Sequence, residues 1–104
     1  MFVKVGPRGA VPPGRGRVFQ VGGVAVAVFN LDGRLHAIAN ACPHVEGPLG
    51  EGPLRGAEVV CPWHGWRFDV TNGRCTTHPG LSVQRFEVRE EGDDLLVSQA
   101  PLAD

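Results

Sequence analysis

Apolar and polar positions alternate with a period of two along most of this chain, which places successive side chains on opposite faces of an extended backbone and predicts short strands. Strands are expected over Phe2 to Val5 and Arg17 to Val21, separated by the Gly/Pro/Arg loop 6–16. Val24-Ala25-Val26-Ala27-Val28-Phe29 and Leu35-His36-Ala37-Ile38 flank Leu31-Asp32-Gly33-Arg34. Asp-Gly readily supplies the positive φ angles of a tight turn, so this stretch predicts a hairpin. Glu58 to Val60 is a fifth strand, and Trp66 to Val70 a sixth that turns at Thr71-Asn72-Gly73-Arg74, where Asn-Gly marks a further hairpin. Val83 to Arg89 and Leu95 to Ser98 form the last pair, joined by the acidic stretch Glu90 to Asp94. There is no internal repeat and no helix of useful length. The expected fold class is all-β.

Fifteen glycines and nine prolines agree with frequent turns between short strands. At 104 residues, 42% of them hydrophobic, the chain can bury one core, and residues 1–104 are expected to form a single domain. A net charge of −1 argues against a binder of nucleic acid or an anionic membrane surface, since both need a concentrated excess of lysine and arginine. The apolar run Val24 to Phe29 is too short to span a bilayer, and the start Met1-Phe2-Val3-Lys4-Val5-Gly6 lacks the apolar stretch of a signal peptide. A cytoplasmic location is expected. The acidic residues 90–94 read as a solvated turn, with steering of a basic partner as the other possibility.

Chemistry concentrates in two short segments. Cys42-Pro43-His44 is followed, after the 16 residues 45–60, by Cys61-Pro62-Trp63-His64. Each loop offers one thiolate and one imidazole, the donor set of an iron–sulfur cluster with mixed ligation, in which two cysteines hold one iron and two histidines the other. The same donors can hold zinc in a closed tetrahedral site, although Cys42 and His44 stand closer together than the ligand pairs typical of structural zinc fingers. Cys42, His44, Cys61 and His64 are therefore the candidate metal and cofactor ligands. The third cysteine, Cys75, has no partner left for a disulfide and reads as a buried or half-buried strand residue.

C-x-H and C-x-x-H at this separation, with the flanking words Ala41-Cys42-Pro43-His44 and Cys61-Pro62-Trp63-His64-Gly65-Trp66-Arg67-Phe68-Asp69, resemble the ligand signature of the Rieske family and its soluble ferredoxin branch. The resemblance runs from about Val24 to Ser98. It implies stacked antiparallel sheets, a small cluster-binding subdomain inserted as two loops, and one [2Fe–2S] cluster. The branch whose loops are tied by a disulfide carries cysteines where this chain has Gly47 and Trp63, so the resemblance implies no such bridge here. Hydroxyl donors of the high-potential branch are replaced by Trp66 and Phe68. Without donors aimed at sulfur, a potential near the bottom of the Rieske range of about −150 to +300 mV is expected.

By the same resemblance, the implied function is one-electron transfer from a flavin-dependent reductase to a terminal oxygenase, by transient docking at the cluster tip. The small Rieske subunit of an NAD(P)H-dependent nitrite reductase is the alternative within the family, and a non-redox zinc module the alternative outside it. Catalysis by the chain itself is not expected, because Rieske oxygenases use a separate iron held by two histidines and a carboxylate in a further domain.

Residues beside the ligands carry secondary expectations. Pro43 and Pro62 fix φ and stiffen their loops. Gly50 and Gly52 read as ordinary turn glycines, whereas Gly65, directly after a ligand, reads as functional. Trp66 reads as a core aromatic opening a strand, and Trp63 as a shield over the cluster or a docking contact. His36 and His78 lie outside the ligand pattern and read as polar or hydrogen-bonded surface residues.

Overall fold

The computed structural model describes residues 1–42 and 47–102, and its regular structure is almost wholly antiparallel strand. Six strands make the larger sheet: β1 (Phe2–Pro7), β2 (Gly16–Val21), β3 (Val24–Leu31), β4 (Arg34–Ala39), β8 (Arg85–Glu91) and β9 (Asp94–Pro101), in the order β1-β9-β8-β4-β3-β2. The smaller sheet contains β5 (Leu54–Arg55), β6 (Glu58–Val60) and β7 (Arg67–Asp69), in that order. One 3-10 turn, Leu49–Glu51, lies between β4 and β5. Among the described residues no helix is long and apolar enough to cross a membrane.

The unbroken apolar run of β3 follows from burial on both of its faces. Val26 and Val28 enter one core with Phe19, Val21, Ala37, Phe86, Leu95 and Val97. Ala27 and Phe29 point the other way, joining Ile38, Leu49, Val59, Phe68 and Val70 in a second core that also holds Cys42, Cys61 and Cys75. Period-two geometry makes this division automatic, since alternate side chains leave opposite faces. The second core is where the two cysteine-bearing loops meet the large sheet.

The β3–β4 hairpin closes as its sequence predicts. Asp32 and Gly33 take φ angles of 52° and 94°, which bring Leu31 opposite Arg34. Asn30, buried beside the turn, accepts the Gly33 N–H at 2.7 Å and donates to the Val11 carbonyl at 2.8 Å. That second bond pins the long loop between β1 and β2, whose Val11 plugs the first core.

Several boundaries differ from the periodicity. β1 and β2, consecutive in the chain, stand at opposite ends of the strand order, because β1 pairs with β9. The arm returning from Asn72-Gly73 contributes isolated bridges, Phe68 to Cys75 and Arg74 to Ser82, in place of a full strand. Cys75 is buried as expected, but on one of these bridges. β5 has no counterpart in the periodicity, because two residues between Pro53 and Gly56 are too few to show a period. β7 begins at Arg67, which leaves Trp66 in the preceding loop.

Candidate metal centre

Cys42 leaves the end of β4, and Cys61 leaves the end of β6. Asn40 prepares the first loop: its N–H donates to Ala25 O at 3.0 Å, and its Oδ1 accepts the Gly50 N–H at 2.6 Å. Cys42 N–H then donates to Gly47 O at 3.0 Å, closing the loop on itself. In the second loop Cys61 N–H donates to Trp66 O at 2.7 Å and Gly65 N–H donates to Cys61 O at 3.0 Å. Gly65 turns the chain at φ 78°, a conformation that an L side chain rarely adopts.

These closures bring three candidate donors together. The Sγ atoms of Cys42 and Cys61 and a ring nitrogen of His64 all lie within 4.8 Å of one another. His64 Nε2 is 3.5 Å from Cys42 Sγ and 3.9 Å from Cys61 Sγ. Both cysteines are buried and His64 is half-buried. His44, the fourth candidate, lies outside the described residues, as does Pro43. No disulfide joins the three cysteines.

This donor set fits an iron–sulfur cluster. Two soft thiolates and a borderline imidazole converge at the second core, which holds both cysteines, while charged side chains are absent from the Cys61–Trp66 loop. Gly47 reinforces the fit, since a Cβ there would lie 2.7 Å from Cys61 Sγ and fill the space beside the sulfur.

Two other glycines carry more than their sequence suggested. A Cβ on Gly52 would collide with the backbone carbonyl of Val60, the residue before Cys61, and one on Gly50 would collide with Val18. Both are close-packing requirements between loop and strand, and not simple turn positions. The signal is absent from local sequence because each collision partner, Val18 for Gly50 and Val60 for Gly52, is brought alongside by strand pairing and loop closure and not by adjacency in the chain. Gly65, by contrast, has open space around its Cβ position, so its backbone angle alone demands glycine.

The aromatic residues divide. Trp63 is 63% exposed at the tip of the second loop, and its ring would lie 3.5 Å from a Cβ on Gly47. Trp66 is half-buried against the second core, packs edge-on to His64 at a centroid distance of 5.0 Å, and stacks on His78 at 3.6 Å. His78 is exposed and within hydrogen-bond reach of Thr77 Oγ1, as expected of it, and no local signal marks its stacking on Trp66. His36 lines a separate cleft with Thr71 and Arg85. Burial pushes its pKa below the ordinary imidazole value, aided by Arg34 and partly offset by Asp69.

Comparison with known proteins supports this picture. The family model described as the Rieske [2Fe-2S] domain matches residues 1–88. Apoptosis-inducing factor 3 of Homo sapiens is 35% identical over 85 residues, which cover 81% of this chain but 14% of that protein. The biphenyl dioxygenase ferredoxin subunit of Pseudomonas sp. (strain KKS102) is 34% identical over 98 residues, covering 92% of this chain and 90% of the relative. Thus the chain spans about a seventh of the first relative's length and nearly all of the second's. Among solved structures, the ferredoxin of carbazole 1,9a-dioxygenase from Nocardioides aromaticivorans IC177 superposes with a TM-score of 0.87 at 34% identity, over 94% of this chain and 97% of that one. A chain from a complex of reduced oxygenase and oxidized ferredoxin in carbazole 1,9a-dioxygenase gives a TM-score of 0.89 at 28% identity, over 99% and 97%.

Proposed function

The chain belongs to the Rieske [2Fe-2S] domain family, and from that premise we propose that it is a ferredoxin-type electron carrier that delivers electrons, one at a time, to a terminal oxygenase. The observation that carries the reading is the convergence of Cys42, Cys61 and His64 at the junction of the two loops with the second core. A bound [2Fe–2S] cluster supplies a one-electron couple. Cys42 and Cys61 would hold one iron and His44 and His64 the other, as the mixed donor set requires. The loop closures from Asn40, Gly47 and Trp66 hold the donors in place before and after electron transfer, so little reorganisation accompanies the change of charge.

The partners follow from chemistry and from the relatives. Nearly full-length similarity to the ferredoxin of a biphenyl dioxygenase, and to a chain of an oxygenase–ferredoxin complex, favours an oxygenase as acceptor. A flavin-dependent reductase is the matching donor, since a flavin can take two electrons from a nicotinamide and release them singly. The chain carries the electron and the acceptor performs the catalysis, with the whole 1–104 acting as one cytoplasmic cluster-binding domain. Trp63, exposed beside Gly47 on an uncharged loop, supplies an apolar docking contact.

Iron and sulfide analysis with electron paramagnetic resonance tests the reading directly. The purified protein is expected to contain two irons and two sulfides and to give a mixed-ligand signal on one-electron reduction. Cys61→Ser and His64→Ala are each expected to abolish that signal and lower thermal stability, because ligation ties two loops together. Zinc with no iron, or a normal cluster in either variant, refutes the assignment.

A further inference from the structure

We infer that His78 positions the imidazole of His64, acting through Trp66. The three rings touch in succession. His64 meets the Trp66 indole edge-on, with centroids 5.0 Å apart and planes at 60°, and His78 lies stacked on the same indole at 3.6 Å and 22°. An imidazole packed edge-on against a rigid indole has fewer side-chain orientations open to it, so the neighbouring ring restricts its plane.

Trp66 is the hub of this arrangement because its backbone also closes the loop that carries His64. The carbonyl of Trp66 accepts the Cys61 N–H, and Gly65 N–H returns to Cys61 O. Trp66 thus meets both ends of the loop, the sulfur-bearing end through its carbonyl and the imidazole-bearing end through its ring. His78 opposes tilting of that ring from outside.

The two residues before His78 are fastened to Arg67, the residue that follows Trp66. Thr76 N–H donates to Arg67 O at 2.8 Å, and Arg67 N–H donates to Thr77 Oγ1 at 3.1 Å. Thr77 Oγ1 lies 3.2 Å from His78 Nδ1, and Cys75 N–H donates to Leu81 O at 2.9 Å, closing the loop 75–81 behind the ring. Both the stacked imidazole and the indole are thus referenced to one short stretch of backbone. A solvent-exposed side chain with no core to fill is otherwise hard to reconcile with such anchoring.

Outer groups that orient a metal-ligating histidine set both its retention and the electronics of the metal. The inference rests on His64 being a cluster ligand, and its test separates the two claims. The protein carrying its cluster is compared with His78→Ala, which removes the stacked ring, and His78→Phe, which keeps one. The readouts are pulsed electron paramagnetic resonance of the histidine nitrogens in the reduced state and the rate of cluster loss to a chelator. In His78→Ala the coupling of one histidine nitrogen is expected to shift or broaden, with cluster loss about threefold faster. That is less than the roughly 10–100-fold penalty for losing a hydrogen-bonded outer partner, because a stacked ring orients without bonding. His78→Phe is expected to restore both properties. Ala and Phe variants behaving alike, whether both normal or both altered, overturn the inference. Absence of histidine nitrogen couplings from the unmutated protein instead removes His64 from the ligand set, and the inference with it.

Discussion

Gly52 shows how a single missing side chain can be a structural requirement: its Cβ position is occupied by the carbonyl of Val60, one residue before Cys61. Backbone cannot rotate away as a side-chain tip can. Gly52→Ala is expected to cost about 2 kcal/mol, within the usual range for overpacking, and to lower the denaturant midpoint with little change in slope. An unchanged midpoint would mean that the loop has room to shift. At Phe68 the consequence is electronic. This ring is fully buried in the core that holds Cys42 and Cys61, and it adds no hydroxyl to their surroundings. Phe68→Tyr is expected to raise the midpoint potential by up to about 59 mV, a tenfold shift in a one-electron equilibrium, where the new donor reaches sulfur. Voltammetry of the two proteins measures the difference, and an unmutated midpoint near the top of the family range would contradict the reading of a donor-poor site.

The β8–β9 turn illustrates at the level of elements why local charge is a poor guide to function. In sequence its acids read as a solvated turn, with steering of a basic partner as the other possibility, and the fold sets cations beside them, two from β1 and the loop after it and one from β8 itself. Lys4 of β1 lies 3.1 Å from Asp94, Arg8 lies 3.1 Å from Glu90, and Arg89 lies 3.9 Å from Glu91. These pairs are largely exposed, so each contributes little to stability. Lys4→Ala is expected to change unfolding free energy by less than about 1 kcal/mol. With their charges locally offset, Glu90 and Asp94 are also weak candidates for attracting a partner. Stopped-flow reduction is expected to show Trp63→Ala slowing electron transfer from the reductase while the cluster spectrum stays largely intact, and charge reversal at Glu90 changing the rate much less. The opposite ranking would place the docking face at the turn.

At the scale of the whole molecule, the docking and titration behaviour follow from how the two cores are arranged. The docking contact proposed at the exposed Trp63 is expected to be transient and to bury less than roughly 1,200 Å² in total. Rapid release serves a carrier better than tight binding. His36, on the central strand β4, gives the fold a pH dependence of its own. Burial holds its pKa below the value near 6.5 expected in the unfolded chain, so the unfolded state binds more protons as pH falls. The corresponding stability is present above about pH 6.5 and is lost as pH drops from there through the lower folded-state value. His36→Asn is expected to flatten the difference in melting temperature between pH 7.5 and pH 5.5. An equal drop in both proteins would assign the effect to other groups.

Local sequence determined what local physics can decide. The Asp32-Gly33 turn and the hairpin strands on either side of it were legible, as were the residue types on offer as donors, because turn angles, strand propensity and donor softness depend on near neighbours. The tertiary structure alone decided which strands pair at long range, and it placed β1 beside β9 in preference to β2. It also decided that Gly50 and Gly52 face Val18 and Val60, and that His78 comes to rest on Trp66. Each of these is a contact between segments separated in the chain. Their closeness arises from closing the sheets around two shared cores, and no residue's own chemistry announces which distant neighbour that closure will bring to it.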